Sequence, residues 1–341
     1  SSDILSLCVL YKPYSRSAKS VREVKICLKE NFYTFDTIIA IGEKMKKRLL
    51  SCTASDIRKM SASDLKNSII ASESRTILGE TVVTAAPLFE DVTNAEVMSA
   101  FGADFLLLNE YDVFTKYING LDEAEPIKFI KHLTGKPVGI NLEPVEENVD
   151  SVEDLITLPA GRRATKEAFE EAARQGIDFI LLTGNPATGV SNSGIMASIE
   201  VAKRYFNGLV FAGKMHAAGL SEKILSEEVI LGFMDRGADG VLIPAVGTAP
   251  GIGEAESSAI VAKVKARGGI TISAVGTSQE SADADTIRQI GLCNKRIGFD
   301  VHHLGDGGYG RVPDPENLMA LSICIRGKRH TYMKMSRSLN R

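Results

Sequence analysis

The sequence has few cysteines, and no two of them are spaced as C-x-x-C. The five, Cys8, Cys27, Cys52, Cys293 and Cys324, are scattered along 341 residues. A disulfide framework or a zinc site would need closely spaced pairs, so neither is expected to organise the fold. This cysteine usage predicts a reducing, cytoplasmic environment.

The sequence also lacks a strong net charge and long hydrophobic runs. Its formal net charge is -3, so we expect no global attraction to nucleic acid or to an acidic membrane. The longest early apolar run, residues 4–10, is too short and lacks the basic flank of a signal peptide. No later stretch is long enough to cross a bilayer, and neither secretion nor membrane insertion is predicted.

The first 44 residues differ in pattern from the rest of the chain. Their aromatic residues and lysines follow no sustained period, and Lys12-Pro13 interrupts the first apolar run. We predict a peripheral extension over 1–44 and one domain over 45–341. Because Met45 and the residues after it resemble the start of an ordinary cytosolic protein, the extension is either a genuine arm or a segment outside the native protein.

From Arg75 onward, short apolar runs alternate with amphipathic helical patterns. Eight strands are predicted, at 76–84, 105–109, 137–142, 179–183, 209–214, 240–245, 270–275 and 297–301. Several of the intervening helices end in Gly-x-Asp, where glycine supplies a left-handed cap. Strands that alternate with helices require a parallel sheet, and eight units of this length predict an α/β protein with a (β/α)8 TIM barrel and an N-terminal helical extension. A doubly wound open sheet is the competing architecture, but it favours a glycine-rich first loop, which is missing here.

Polar residues recur near the carboxyl ends of the predicted strands. Alternate residues of a barrel strand face the interior and the surrounding helices. If these polar residues occupy the inward-facing positions (the inward parity), they meet at the barrel mouth, where the active sites of such barrels are found. A structural polar plug is the alternative. The inward set comprises Glu80, Asn141, Glu143, Thr183, Asn185, Lys214, His216, Ser273, Thr277, Asp300 and His302, and the second strand offers Asn109 or Glu110.

Two glycine-containing loops follow the seventh and eighth predicted strands. Barrels often hold a substrate phosphate between these loops, because glycine lets backbone N–H groups approach an anion closely. Tight turns would explain the same glycines. The predicted phosphate-binding residues are Gly276, Thr277, Ser278, Gly305, Gly307 and Gly308.

Six segments together carry a family resemblance. They are LLNEYDV at 107–113, GINLEPV at 139–145, LLTGNPATGVSN at 181–192, AGKMHAAG at 212–219, AVGTSQESADAD at 274–285 and IRGKRHTYMKM at 325–335. The chain from Met45 resembles a little-characterised bacterial (β/α)8 family labelled phosphoenolpyruvate phosphonomutase-like, which is distantly similar to the BtpA group. The acidic loop of working phosphonomutases and isocitrate lyases is not evident after the third strand, where 143–147 read EPVEE. The resemblance therefore implies a fold, without Mg²⁺ or a substrate.

Two functional hypotheses follow. In the first, an aldolase, lyase or isomerase acts on a small phosphorylated carbonyl or sugar compound. Lys214 would form a Schiff base, and His216, Glu143 or Asp300 would move the proton. A variant of it places a divalent metal on Glu143, His216, Asp300 and His302, with Lys214 as a charge partner. In the second, a barrel senses a phosphorylated metabolite without turnover, and the basic tail at 326–341 binds a partner. Under either hypothesis we expect a homo-oligomer.

Overall fold

The computed structural model describes residues 25–28, 31–34, 47–146, 154–216, 218, 220 and 222–341. The chain divides into two compact units, residues 1–46 and residues 47–341. In the first unit, β1 (Lys25–Leu28) pairs antiparallel with β2 (Asn31–Thr34). The rest of the predicted N-terminal extension lies outside the described residues.

The second unit is built around a closed barrel of eight parallel strands. Each strand pairs with the next along the chain, and the last pairs with the first, which confirms the predicted (β/α)8 fold. The barrel strands are β3 (Thr76–Val82), β4 (Phe105–Asn109), β5 (Val138–Leu142), β6 (Phe179–Leu182), β7 (Leu209–Gly213), β8 (Gly240–Pro244), β9 (Ile270–Val275) and β10 (Val301–Leu304).

A helix follows every barrel strand, and two short helices precede the first one. The preceding helices are α1 (Ala54–Ile57) and α2 (Ala62–Ile70), and each begins with a capping box. The following helices are α3 (Asn94–Ala100), α4 (Pro126–Thr134), α5 (Lys166–Gln175), α6 (Asn192–Tyr205), α7 (Glu227–Asp235), α8 (Glu254–Ala266), α9 (Ala284–Ile297) and α10 (Pro315–Ser336). Gly327, at φ 77°, kinks α10.

Four aspartates tie the strands together at the amino end of the barrel. Each follows a Gly-x pair and precedes an even-numbered strand, and each accepts a hydrogen bond from a backbone N–H of the preceding strand. The pairs are Asp104 with Ile77, Asp178 with Val138, Asp239 with Val210 and Asp300 with Thr271, at 2.8–3.0 Å. A carboxylate can accept several such bonds, so one residue type satisfies strand N–H groups in four places.

The eighth barrel strand starts four residues later than the sequence predicts. Residues up to Ile297 belong to α9, Gly298 ends that helix at φ 99°, and the strand begins at Val301. The segment Gly298-Phe299-Asp300 is thus a fourth Gly-x-Asp junction. The prediction for 297–301 was wrong because an apolar residue at the end of a helix resembles the first residue of a buried strand.

The buried side chains form an inner cluster and an outer layer between sheet and helices. The inner cluster includes Phe105, Phe179 and Phe211, which pack on one another, together with Val301 of the last strand. Leu49, Leu65 and Ile69, from the segment before the first barrel strand, belong to the same cluster. This segment therefore closes the amino end, and polar groups that face inward lie at the carboxyl end.

None of the helices in the described part of the chain combines the length and the apolar character that crossing a membrane requires.

Candidate active site at the barrel mouth

Four buried polar side chains form a hydrogen-bonded cluster at the carboxyl end of the barrel. Asn141 Nδ2 donates to Glu80 Oε1 at 2.8 Å and to Asn109 Oδ1 at 2.9 Å. His303 Nε2 lies 2.8 Å from Glu80 Oε2. Each of the four is at most 4% exposed. They come from β3, β4, β5 and β10, at positions whose strand parity points into the barrel.

Asn185 and Glu143 extend this cluster toward a cation. Asn185 Nδ2 donates to Asn109 Oδ1 at 3.0 Å and to Glu143 Oε1 at 3.1 Å, and its backbone N–H donates to Glu143 Oε2. Arg162 Nη2 lies 2.6 Å from Glu143 Oε1. The Glu143 side chain is only 1% exposed, so its negative charge depends on Arg162 and on the Asn185 donors for stabilisation.

Asp306 adds a third carboxylate from the loop after β10. Asn109 Nδ2 donates to Asp306 Oδ2 at 2.9 Å. Burial, reinforced by the negative charge of Glu80, raises the pKa of Asp306 to about 6, whereas the Asn109 hydrogen bond acts in the opposite direction. A carboxylate with this pKa exchanges protons readily near neutral pH, as a general base must.

Three buried polar atoms at the mouth lack hydrogen-bond partners within the described residues. They are Asn141 Oδ1, His303 Nδ1 and Arg162 Nε. Buried polar atoms in folded proteins nearly always have a partner, either in the protein or in bound solvent or ligand. The three atoms offer an acceptor, a titratable nitrogen and a cationic donor, which together suit a small oxygen-rich ligand.

A cavity of about 540 Å³ adjoins this side of the mouth. Glu143, Glu146 and Leu158 line it, together with Gly194 at the start of α6. Its volume is in the range that holds a small metabolite. The sequence over 144–163 is compatible with a lid or with a solvated excursion, and residues 147–153 of it lie outside the described part of the chain.

One family model matches this chain over most of its length. The family is described as a domain of unknown function (DUF7916), and its model matches residues 50–341. The chain belongs to this family. A search of curated proteins finds no match.

Solved structures resemble the DUF7916 barrel in fold. A 2,3-dimethylmalate lyase of the PEP mutase/isocitrate lyase superfamily is 13% identical, with a TM-score of 0.45 over 74% of this chain and 83% of that one. A Burkholderia cenocepacia J2315 protein provisionally assigned as a phosphonomutase is 17% identical, with a TM-score of 0.44 over 72% and 93%. Thiamine phosphate pyrophosphorylase from Pyrococcus furiosus is 13% identical, with a TM-score of 0.43 over 78% and 100%.

The later start of the eighth strand removes Asp300 and His302 from the predicted mouth. Asp300 lies at the amino end, where it accepts from the backbone and hydroxyl of Thr271 and pairs with Lys265. His302 Nε2 contacts Ser74 in the segment before β3. Both were assigned to the inward parity, and that assignment was wrong because a one-residue slip moves every side chain to the other face. His303 is the inward histidine.

Lys214 lies at the end of β7 on the outward parity, in line with Val210 and Ala212. Its side chain is 3% exposed, and Nζ donates to Val190 O and to Glu222 Oε2, both at 2.7 Å. Glu222 in turn accepts from the backbone N–H of Asn192, at the start of α6. These contacts favour a role for Lys214 as a charge partner and disfavour a role as a Schiff-base nucleophile.

We expect Lys214→Met to lower the free energy of unfolding by about 1–3 kcal/mol, because it leaves the Glu222 carboxylate without its cation. Glu222→Gln should cost a similar amount, and the double variant should cost less than the sum of the two single changes. Denaturant unfolding of all four proteins measures the coupling. If the two single effects add, the ion pair contributes nothing to stability.

Two other predicted residues, His216 and Thr183, lie near Lys214 and at the end of β6. His216 Nδ1 accepts from the backbone N–H of Ala218 at 3.0 Å, so it shapes the loop after β7. Thr183 follows β6 with the inward parity of Leu181 and is 5% exposed. Ala217, Gly219 and Ser221 lie outside the described residues.

The two glycine loops lie side by side, as the pairing of β9 with β10 requires. Gly305 N donates to Val275 O at 3.0 Å, and Thr277 and Ser278 have left-handed backbone, at φ 56° and 79°. The rest of the second loop is crowded. A Cβ on Gly307 would lie 1.8 Å from Glu280 Oε1, and one on Gly308 would lie 2.3 Å from Val312 O. The buried Glu280 carboxylate beside Gly307 would repel an anion there, so Gly276, Thr277 and Ser278 remain as the predicted phosphate-binding residues.

The metal variant of the predicted site does not assemble. Glu143 lies at the mouth, whereas Asp300 and His302 contact Thr271 and Ser74. Across the described ranges, no group of three or more His, Cys, Asp or Glu side chains has an arrangement that could hold a metal ion.

Proposed function

We propose that this DUF7916 chain is an enzyme of the lyase or isomerase type that moves a proton on a small carbonyl compound at the barrel mouth. One observation carries the proposal. Half-buried at the carboxyl end of a TIM barrel, Asp306, with its raised pKa, joins through Asn109 and Asn141 to the buried Glu80–His303 pair. Perturbed acids in this part of the fold are typical of catalytic groups.

The proposed step is proton abstraction next to a carbonyl group. Asp306 carboxylate takes a proton from the carbon beside the carbonyl, the electron pair of that C–H bond forms a C=C bond, and the π pair of the carbonyl moves onto its oxygen to give an enolate. His303 Nδ1, when protonated, donates to that oxygen, while Glu80 fixes the ring through Nε2. Arg162 Nε is suited to an acidic group on the same substrate. Where the deprotonated carbon carries a hydroxyl, return of the proton to the former carbonyl carbon gives isomerisation. Where the next carbon carries a leaving group, that group departs with its electron pair while the carbonyl re-forms, which gives an unsaturated carbonyl compound.

Exchange of substrate protons with D₂O tests this step without knowledge of the natural product. The full chain is incubated with pyruvate, oxaloacetate, dihydroxyacetone or dihydroxyacetone phosphate, and loss of the C–H signal is followed by ¹H NMR. Exchange faster than in buffer with at least one probe supports the proposal. A preference for dihydroxyacetone phosphate over dihydroxyacetone would support the predicted phosphate group. Saturable binding without exchange would instead support the metabolite sensor.

Borohydride added to the same mixtures tests the predicted Schiff base on Lys214. Because Nζ is held in an ion pair with Glu222, we expect intact-mass spectra to contain no adduct with any probe. An adduct lost in Lys214→Met would restore Lys214 as the nucleophile.

Asp306→Asn should stabilise the protein at pH 7 while it abolishes exchange. In the folded state the Asp306 pKa is about 6, above the ordinary value near 3.9, so the proton binds more tightly to the folded protein. Stability contributed by this group is present at low pH and falls as pH rises through about 6. We therefore expect the free energy of unfolding of the variant to exceed that of the wild type by about 1–3 kcal/mol at pH 7 and to equal it at pH 4. Urea unfolding at the two pH values measures this difference. Equal effects at both pH values would contradict the raised pKa.

A further inference from the structure

A second polar cavity opens at the opposite end of the barrel. Its volume is about 250 Å³, and its lining includes Lys136, Lys334 and Arg337, with Ser99, Thr134 and Ser338 beside them. These residues come from α3, from the end of α4 and the turn that follows it, and from the end of α10. None of them belongs to the proposed catalytic cluster.

Cations outnumber carboxylates around this cavity. Lys136, Arg326, Lys334 and Arg337 influence one another electrostatically, and Asp104 is the carboxylate that acts on Lys136. Arg326 and Lys334 both pair with that same aspartate, at 2.5 and 2.8 Å. Glu96 also lines the cavity, but its carboxylate accepts from the backbone and hydroxyl of Thr93. The positive charge here is therefore only partly compensated.

Lys136 is the least satisfied of these cations. In the part of the chain that the structure describes, no hydrogen bond or ion pair engages its Nζ. Lys334 Nζ donates to Leu49 O and forms an ion pair with Asp104, and Arg337 Nη1 donates to Ser51 O and Cys52 O. Donors of Lys136 and Arg337 therefore remain for a ligand.

We propose that this cavity, at the amino end of the barrel, is an anion site for a phosphate group, held by Lys136, Lys334 and Arg337. A doubly charged anion would compensate the excess cations, and the Ser338 hydroxyl, which accepts from Asn340 N, keeps its own proton for a remaining oxygen. The volume admits a small phosphorylated metabolite and excludes a polymer. The site lies across the barrel from the mouth and is independent of the proposed catalysis.

Protonation of Lys136 should be coupled to this binding. Burial, together with the positive charges of Lys334, Arg326 and Arg337, lowers the pKa of Lys136 to about 7, and the charge of Asp104 opposes this shift. Near that pH roughly half of the lysine is neutral. A bound anion raises the pKa again, so binding at pH 7 takes up protons from the buffer.

The test is calorimetric titration of the full chain with inorganic phosphate and with glycerol 3-phosphate at pH 7, in two low-salt buffers of different ionisation enthalpy. We expect saturable binding with proton uptake, weakened at least tenfold in Lys136→Met. Lys128→Met removes an exposed cation from α4, the helix that precedes Lys136, and should leave binding unchanged. Tighter binding of the ester assigns the site to an organic phosphate, and tighter binding of the inorganic ion assigns it to free phosphate.

Thermal unfolding provides a second readout on the same variants. Without phosphate, Lys136→Met should unfold at a higher temperature than the wild type, because it removes repulsion among the cations. It should gain no further stability when phosphate is added, unlike the wild type. Absence of saturable binding of both probes, or unchanged binding by Lys136→Met, would overturn the proposal.

Discussion

Asp104→Asn should lower the free energy of unfolding by about 3–5 kcal/mol, the range found when one partner of a buried ion pair is removed. Asp104 pairs with Arg326 through Oδ2 and with Lys334 through Oδ1, and all three side chains are at most 3% exposed. Burial by itself would raise the pKa of Asp104, but the two cations outweigh burial and hold the pKa well below its usual range. The variant leaves both cations buried without a counter-charge.

Asp178→Asn is the matched control for this change. Asp178 occupies the equivalent Gly-x-Asp junction and also accepts from a strand N–H, that of Val138 at 2.8 Å. Its side chain is 26% exposed, its partner Lys131 is 28% exposed, and burial raises its pKa. We expect Asp178→Asn to lower the free energy of unfolding by about 1 kcal/mol or less.

Urea unfolding at pH 7 compares the two variants, and acid titration adds a check of sign. The depressed pKa of Asp104 contributes stability that is present at neutral pH and is lost as pH falls below about 4. The difference in the free energy of unfolding between the wild type and Asp104→Asn should therefore become smaller below about pH 4. Equal losses for Asp104→Asn and Asp178→Asn at pH 7 would mean that only the shared strand hydrogen bond matters.

The barrel itself could be predicted because two different periods alternate along the chain. Apolar runs such as residues 179–182 are too short for helices, and the patterns between them have helical spacing. The Gly-x-Asp junctions add a local signal that is independent of hydrophobicity. Applied to Gly298-Phe299-Asp300, the same signal would have given the correct start of the last strand and identified His303.

Side-chain direction was harder to predict because both faces of a parallel barrel are apolar. In β7, residues 209 and 211 face inward and residues 210 and 212 face the helices. All four are apolar, so the sequence does not distinguish the inward face from the outward face. Nothing in that strand therefore indicates which way Lys214 points. In β5, Gly139 and Asn141 alternate with Ile140 and Leu142, so the polar residues mark the inward face.

Asp306 and Arg162 were missed for a different reason. Asp306 lies in a loop and Arg162 in a single 3-10 turn at 160–162, and neither has a strand or helix period long enough to fix the direction of a side chain. Only the closed barrel brings Asp306, after the last strand, beside Asn109 at the end of the second. A network that joins the last strand to the first depends on closure, which is a property of the whole chain.

Glu80→Gln should slow proton exchange by about 100-fold or more, a loss in the range expected for disrupted general acid–base catalysis. Glu80 accepts from Asn141 Nδ2 and contacts His303 Nε2, so the amide leaves His303 without the charge that orients it. The variant also removes one of the two causes that raise the pKa of Asp306. The acid limb of the pH profile should consequently move below about 6.

The pH shift separates a positioning role from simple damage to the fold. A destabilised barrel would lose activity at every pH, whereas loss of the Glu80 charge moves the profile to lower pH. Glu110→Gln is the control, because Glu110 follows Asn109 directly but contacts Thr84 and the more distant Arg162 Nη1 at 3.9 Å. We expect its exchange rate to stay within about twofold of wild type, since a rim charge contributes little. If Glu80→Gln keeps both the wild-type rate and the wild-type profile, the Glu80–His303 pair has no part in the reaction.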